Sequence, residues 1–208
     1  KFRLEIMKKI IAMAALVLSS VGAFAQYSAG DFTLQPKVGL NVSNLTDYSE
    51  DGDTDWKAGL AIGVEGEYHI NNWLGISAGL LYSQQGTKGS DGVGIDDVKF
   101  NFDYLNVPIL ANFYVAKGLS LKAGIQPGFN VSKKAKYQGV SVDFDKVLDK
   151  LGGGEFQTVD FSVPIGIAYE YAGFCIDARY ILGGTNVVKD VDGKNQVFQL
   201  TLGYKFKL

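Results

Sequence analysis

From Leu34 to Leu208, apolar and polar residues alternate one by one over eight stretches, separated by turn- and loop-forming segments. Successive side chains of a strand point to opposite faces, so each stretch carries one bulky apolar face and one small or polar face. The closing stretch shows this most fully. Phe198, Leu200, Leu202, Tyr204, Phe206 and Leu208 share one face; Val197, Gln199, Thr201, Gly203, Lys205 and Lys207 share the other. Its length meets the roughly 9–11 residues that a tilted strand needs to cross a bilayer.

The same reading runs through the chain. Leu34, Pro36, Val38, Leu40 and Val42 oppose Lys37, Gly39, Asn41 and Ser43; further on, Phe174, Ile176, Ala178, Tyr180 and Leu182 oppose Cys175, Asp177 and Arg179. Tight turns are expected at Asn71-Asn72, Ala116-Lys117-Gly118 and Ala172-Gly173, and long loops at 46–55, 86–98, 133–157 and 183–195. Short turns and long loops alternate strictly, as in bacterial outer-membrane barrels. The pattern predicts an all-β fold: an eight-stranded antiparallel up-and-down transmembrane β-barrel over residues 33–208, with long loops outside and both termini periplasmic. A phase slip between Phe102 and Leu105 suggests a bulge. Pro108 and Pro164, mid-strand on the polar face, each delete a ladder hydrogen bond and predict bulges or bends.

A soluble eight-stranded barrel would turn its apolar face inward. Here the other face is rich in Gly, Ala and Ser, with charges in balance: Lys37, Lys122, Arg179, Lys205 and Lys207 against Glu65, Glu67, Asp160, Glu170 and Asp177. Small residues and matched charges suit a narrow filled interior. Aromatics gather towards the two ends of the bulky face, Tyr68, Tyr169, Tyr171, Phe174, Tyr204 and Phe206 at one, Trp56, Tyr82, Phe161, Tyr180 and Phe198 at the other. Such an arrangement corresponds to interfacial girdles.

Residues 1–25 read as a signal peptide: Lys8-Lys9, an apolar run from Ile10 to Val21, then Ala23-Phe24-Ala25 as cleavage site, with Met7 as the expected true start. Residues 26–32 are then a short periplasmic lead. Of 20 Lys+Arg and 22 Asp+Glu, the leader holds four and one, leaving 16 against 21 and a formal charge of −5. That balance argues against nucleic acid as a partner. One cysteine, Cys175, leaves an exported chain without an internal disulfide.

The segments Lys37-Val38-Gly39-Leu40-Asn41-Val42-Ser43, Tyr104-Leu105-Asn106-Val107-Pro108-Ile109-Leu110 and Gly203-Tyr204-Lys205-Phe206 resemble the porin-family outer-membrane β-barrel domain that includes PorT-like proteins. The resemblance covers essentially the whole mature chain. It implies an eight-stranded barrel of the Gram-negative outer membrane, brings no catalytic set and leaves activity open.

Candidate chemistry is sparse. His69, the single histidine, falls beside the Asn71-Asn72 turn, at the periplasmic end and away from lipopolysaccharide; it reads as a rim or lumen histidine. Cys175 reads as a small lumen filler. The first loop holds Asp47, Glu50, Asp51, Asp53 and Asp55, but Trp56 stands where a calcium loop has its turn glycine and Ile62 where it has its bidentate glutamate. A solvated acidic loop fits better, with weak divalent binding as the alternative. Phe144, Val147, Leu148 and Leu151, behind Asp143 and ahead of Gly152-Gly153-Gly154, predict a short amphipathic helix in the third loop. It would cap the mouth, lie on the leaflet or meet a partner.

No catalytic, cofactor-binding or metal-binding residue is nominated. The expected function is non-enzymatic: a membrane-structural or surface-interaction barrel acting through its loops, with a lumen filled by paired charges. The alternatives are a narrow channel for ions or small solutes, and a barrel assisting protein export. Expected partners are outer-membrane lipid and lipopolysaccharide, the barrel-assembly machinery during insertion, and an unidentified surface or periplasmic protein; the barrel itself is expected to be a monomer.

Overall fold

The computed structural model describes residues 27–46, 54–89, 99–137, 140–143, 159–188 and 191–208. The strands are β1 (Phe32–Thr46), β2 (Thr54–Asp55), β3 (Lys57–His69), β4 (Leu74–Gly89), β5 (Lys99–Asn106), β6 (Ile109–Ala116), β7 (Leu119–Tyr137), β8 (Val140–Asp143), β9 (Val159–Tyr171), β10 (Phe174–Val188), β11 (Val191–Tyr204) and β12 (Phe206–Lys207). All pair antiparallel, in the order β11-β10-β9-β7-β5-β4-β3-β1, and β1 pairs back to β11 to close the ring. Two staves are interrupted. β5 and β6 keep one register against β4, Asn106 opposite Leu81 and Ile109 opposite Ala78; β11 and β12 both face β1. The result is a closed eight-stranded barrel, with β2 and β8 as short additions to β4 and β7.

Burial is inverted relative to a soluble protein. Lys37 is 3% exposed, Glu65 2% and Asp177 0%, whereas Leu40 is 61% and Ile125 55% exposed. A charged inside and a greasy outside make sense only with lipid as the outer solvent. Both girdles form: Phe198 packs on Tyr180 (4.5 Å) and Trp56 (5.7 Å) at the loop end. At the turn end Tyr204 meets Phe174 (5.1 Å) and Phe206 (4.8 Å), joined there by Trp73 on Phe113 (6.3 Å), a pair outside the expected set.

Three short turns close one end. Asn71 Oδ1 accepts from the amides of Trp73 (3.0 Å) and Leu74 (2.8 Å). Ala172 (φ 51°) and Gly173 (φ 83°) both adopt positive φ, as a two-residue hairpin turn that follows the strand twist requires. The glycines of the inner face allow close packing: a Cβ on Gly39 would strike the Leu200 carbonyl across the closure seam.

Several expectations need correction. The long loops are shorter than anticipated, because β4 runs to Gly89, β7 to Tyr137 and β10 to Val188, and β11 begins at Val191. Backbone pairing above the membrane does not need the apolar alternation that marks the spanning part. No phase slip occurs between Phe102 and Leu105: Phe102, Tyr104 and Asn106 all point inward and are buried. The register shift there belongs to β7, where Asp103 faces Ser132 but Tyr104 faces Asn130, leaving Val131 extra. Pro108 and Pro164 produce no bulge. Pro108 interrupts its stave without changing register, its carbonyl accepting from Gly79 (3.0 Å). Pro164 stays within β9, paired with Ile181, and the β7–β9 ladder simply skips from Ala123–Ile165 to Gln126–Ser162. The interior is also less uniformly small than expected, with Leu81, Leu110, Ile181 and Val197 packed into it. The expected third-loop helix at 144–151 and the acidic residues 47–53 lie outside the described residues.

Candidate functional site: the filled lumen

Inward alternation on β1, β3, β7 and β10 brings five ionised side chains to one level of the barrel. Lys37 Nζ lies 3.1 Å from Glu65 and 3.1 Å from Asp177. Lys122 Nζ lies 3.2 Å from Glu65 and 3.0 Å from Asp177. Arg179 donates through Nη2 to Glu65 and Asp177, both at 2.6 Å, and through Nε to Asp177 at 2.9 Å. Every cation touches both carboxylates, so the group forms a crossbar over the lumen carrying one excess positive charge. In a water-poor interior such charges persist only when paired and hydrogen-bonded.

A second level lies nearer the turns. Lys205 Nζ donates to Glu67 (2.8 Å) and the Tyr114 hydroxyl (2.9 Å) and sits 3.5 Å from Glu170, while Tyr114 donates to Glu67 (2.8 Å). One lysine faces two carboxylates, an excess of one negative charge that offsets the crossbar. Tyr27, from the lead before β1, completes this level. Its hydroxyl lies 2.7 and 2.8 Å from the two Glu170 oxygens, and its ring stacks on His69 at 4.0 Å. Burial above all, with the adjacent Glu170, pushes the Tyr27 phenol up, so it remains a donor.

The loop-end level is neutral for the most part. Asn41 donates to Ser83 (2.8 Å) and accepts from Gln199 (2.9 Å), Gln85 donates to Ser83 (3.0 Å), and Asn195 donates to Tyr104 (3.2 Å). Asp160 accepts from the Thr185 hydroxyl.

Of the ten charges expected inside, eight meet in the two ionic levels. Asp160 stands apart at the loop end, and Lys207 is misassigned: its side chain is 57% exposed and pairs with Asp31 at 2.6 Å on the rim. β12 is the last turn of the ladder and has no lumen left beneath it. His69 is fully buried among aromatics at the turn end. Cys175 is buried on the inner face of β10, opposite Glu170 and Gly203. Tyr27 was invisible to pattern reading because it lies outside any alternating run. The Ser28–Asp31 turn just after it was the available hint.

Residues 24–189 match the outer membrane protein beta-barrel domain family. The chain belongs to that family. As an outer-membrane β-barrel it is an integral protein of the bacterial outer membrane. Its fold is similar to that of Ail, the attachment invasion locus protein of Yersinia pestis, solved with the heparin analogue sucrose octasulfate (18% identity, 86% of this chain and 99% of that chain, TM-score 0.51). It is also similar to Neisserial surface protein A (14% identity, 85% and 97%, TM-score 0.51). At these identities the likeness speaks for the fold alone. No curated protein sequence matches the chain.

Proposed function

We propose that this outer-membrane barrel is a non-enzymatic, non-conducting protein that works through its loop end, with the turns and both chain ends on the periplasmic side. The crossbar of Lys37, Glu65, Lys122, Asp177 and Arg179 carries this reading, because five buried charges at 2.6–3.2 Å fill the level where a pore would run. The projecting strands agree with it. β4 has 16 residues and β7 has 19, more than the about 9–11 needed to cross, so both extend past the membrane at the loop end. A partner at the cell surface would meet that end first. The PorT-like resemblance in the chain's motifs keeps a role beside an export system as the second reading. Planar-bilayer recording of pure protein tests the first: no unitary steps are expected, and reproducible steps would overturn the closed lumen.

A further inference from the structure

Tyr27 lies outside every strand, yet it is 7% exposed. Four groups from different parts of the barrel surround it. His69 of β3 stacks on its face (4.0 Å), Tyr114 of β6 meets it edge-on (5.7 Å), Glu170 of β9 takes its hydroxyl, and Lys205 Nζ sits 5.5 Å from the ring centre. Stacking, a charge-assisted hydrogen bond and a cation facing the ring all select a phenol over an aliphatic side chain.

The segment that delivers Tyr27 is itself fastened. Asp31 accepts from the Ser28 amide (2.9 Å) and donates its own amide to the Ser28 carbonyl (3.1 Å), closing a tight turn with Gly30 at φ 90°. The segment's backbone is tied to the barrel wall: the Gly30 amide donates to the His69 carbonyl of β3, and the His69 amide donates to the Asp31 carbonyl, both at 2.9 Å. The exposed Lys207 grips the Asp31 carboxylate from outside (2.6 Å).

We propose that the barrel's turn-end mouth is a phenol-binding site occupied in cis by Tyr27, and that Tyr27–Asp31 is a strap sealing that mouth. The strap precedes β1 and joins the ladder only at its far end, through the backbone bonds of Gly30 and Asp31 to His69, so Tyr27 and Ser28 can leave while the barrel stays closed. A built-in reporter lies just behind it. Cys175, the sole cysteine of the sequence, is 1% exposed and points into the lumen level with Glu170.

The test uses the full mature chain folded in detergent micelles, treated with a small charged methanethiosulfonate, with Cys175 modification followed by intact mass. Wild type is expected to react slowly. Tyr27→Ala should react at least tenfold faster, and Tyr27→Phe, which keeps the stack and loses the hydroxyl, should fall between. Asp31→Ala removes the strap's side-chain fastening, to Lys207 and the Ser28 amide, without replacing a lumen side chain, and should also accelerate labelling. It reads the same point if Tyr27→Ala does not fold, and heat-dependent gel migration verifies the fold of each. Rates for Tyr27→Ala and Asp31→Ala equal to wild type would overturn the seal, as would wild type reacting as fast as urea-unfolded protein. Failure of the closed lumen reads differently. A leaking crossbar appears as conductance with Tyr27 in place, whereas Cys175 lies on the turn side of Asp177 and reports the strap.

Discussion

Asp177→Asn and Arg179→Met remove opposite members of the same crossbar, and they should not cost the same. In the wild type, three cations share two carboxylates, with all five groups at most 3% exposed. Replacing Asp177 by Asn removes four charged contacts, two of them to Arg179, and leaves Lys37, Lys122 and Arg179 facing Glu65 alone. Orphaning buried charge in this way costs about 3–5 kcal/mol. Replacing Arg179 by Met removes three hydrogen bonds but also one buried charge, and the two lysines that remain match the two carboxylates. The expected loss is about 1–2 kcal/mol, since removing the guanidinium also removes its desolvation cost. The double variant restores the excess of one positive charge and should be more stable than the sum of singles by at least about 1.5 kcal/mol. Urea unfolding in phospholipid vesicles would follow Trp56 and Trp73, both on the outer surface and leaving lipid as the barrel unfolds. If Arg179→Met is as damaging as Asp177→Asn, charge balance does not govern the lumen and the reasoning fails.

Two further outcomes follow from the backbone and the closing strand. Ala172 holds φ 51°, a left-handed conformation that costs a residue with a Cβ about 1–2 kcal/mol, so Ala172→Asn, which forms an Asn-Gly turn, should stabilise the barrel by about 1 kcal/mol in the same urea assay. Phe206 packs on Tyr204 at 4.8 Å whereas Leu208 is 74% exposed, so Phe206→Ala should lower the yield of folded barrel in membranes more than Leu208→Ala; equal yields would count against a recognition role for Phe206.

The alternation in the sequence carried the barrel because lipid on one side and a narrow lumen on the other leave each strand residue only one acceptable face. Lys37 and Asp177 could be placed inside on that ground alone. Their meeting could not, because it depends on the stagger between β1 and β10, which no single strand encodes. Lys207 shows the reverse failure: it keeps perfect phase with Lys205 yet lies beyond the end of the lumen, and period says nothing about depth. Strand ends escaped for a related reason. Above the bilayer, β7 continues through Ser132–Tyr137 on backbone pairing, with no apolar face to announce it. Tyr27 escaped because its place is set by a turn and a rim contact rather than by any repeat.

The crossbar also bears on how the ring finds its closing register. A hydrophobic pattern that repeats every two residues is satisfied equally well by β1 sliding two places along β11, since the same faces still meet lipid and lumen. Such a slip would carry Lys37 about 6.6 Å along its strand. It would then lose Asp177 of β10, which it now touches at 3.1 Å, and Glu65, moving with it on the neighbouring β3, would lose Arg179. The buried charges thus act as a vernier on the seam, distinguishing the correct closure from near-misses that the greasy exterior scores alike.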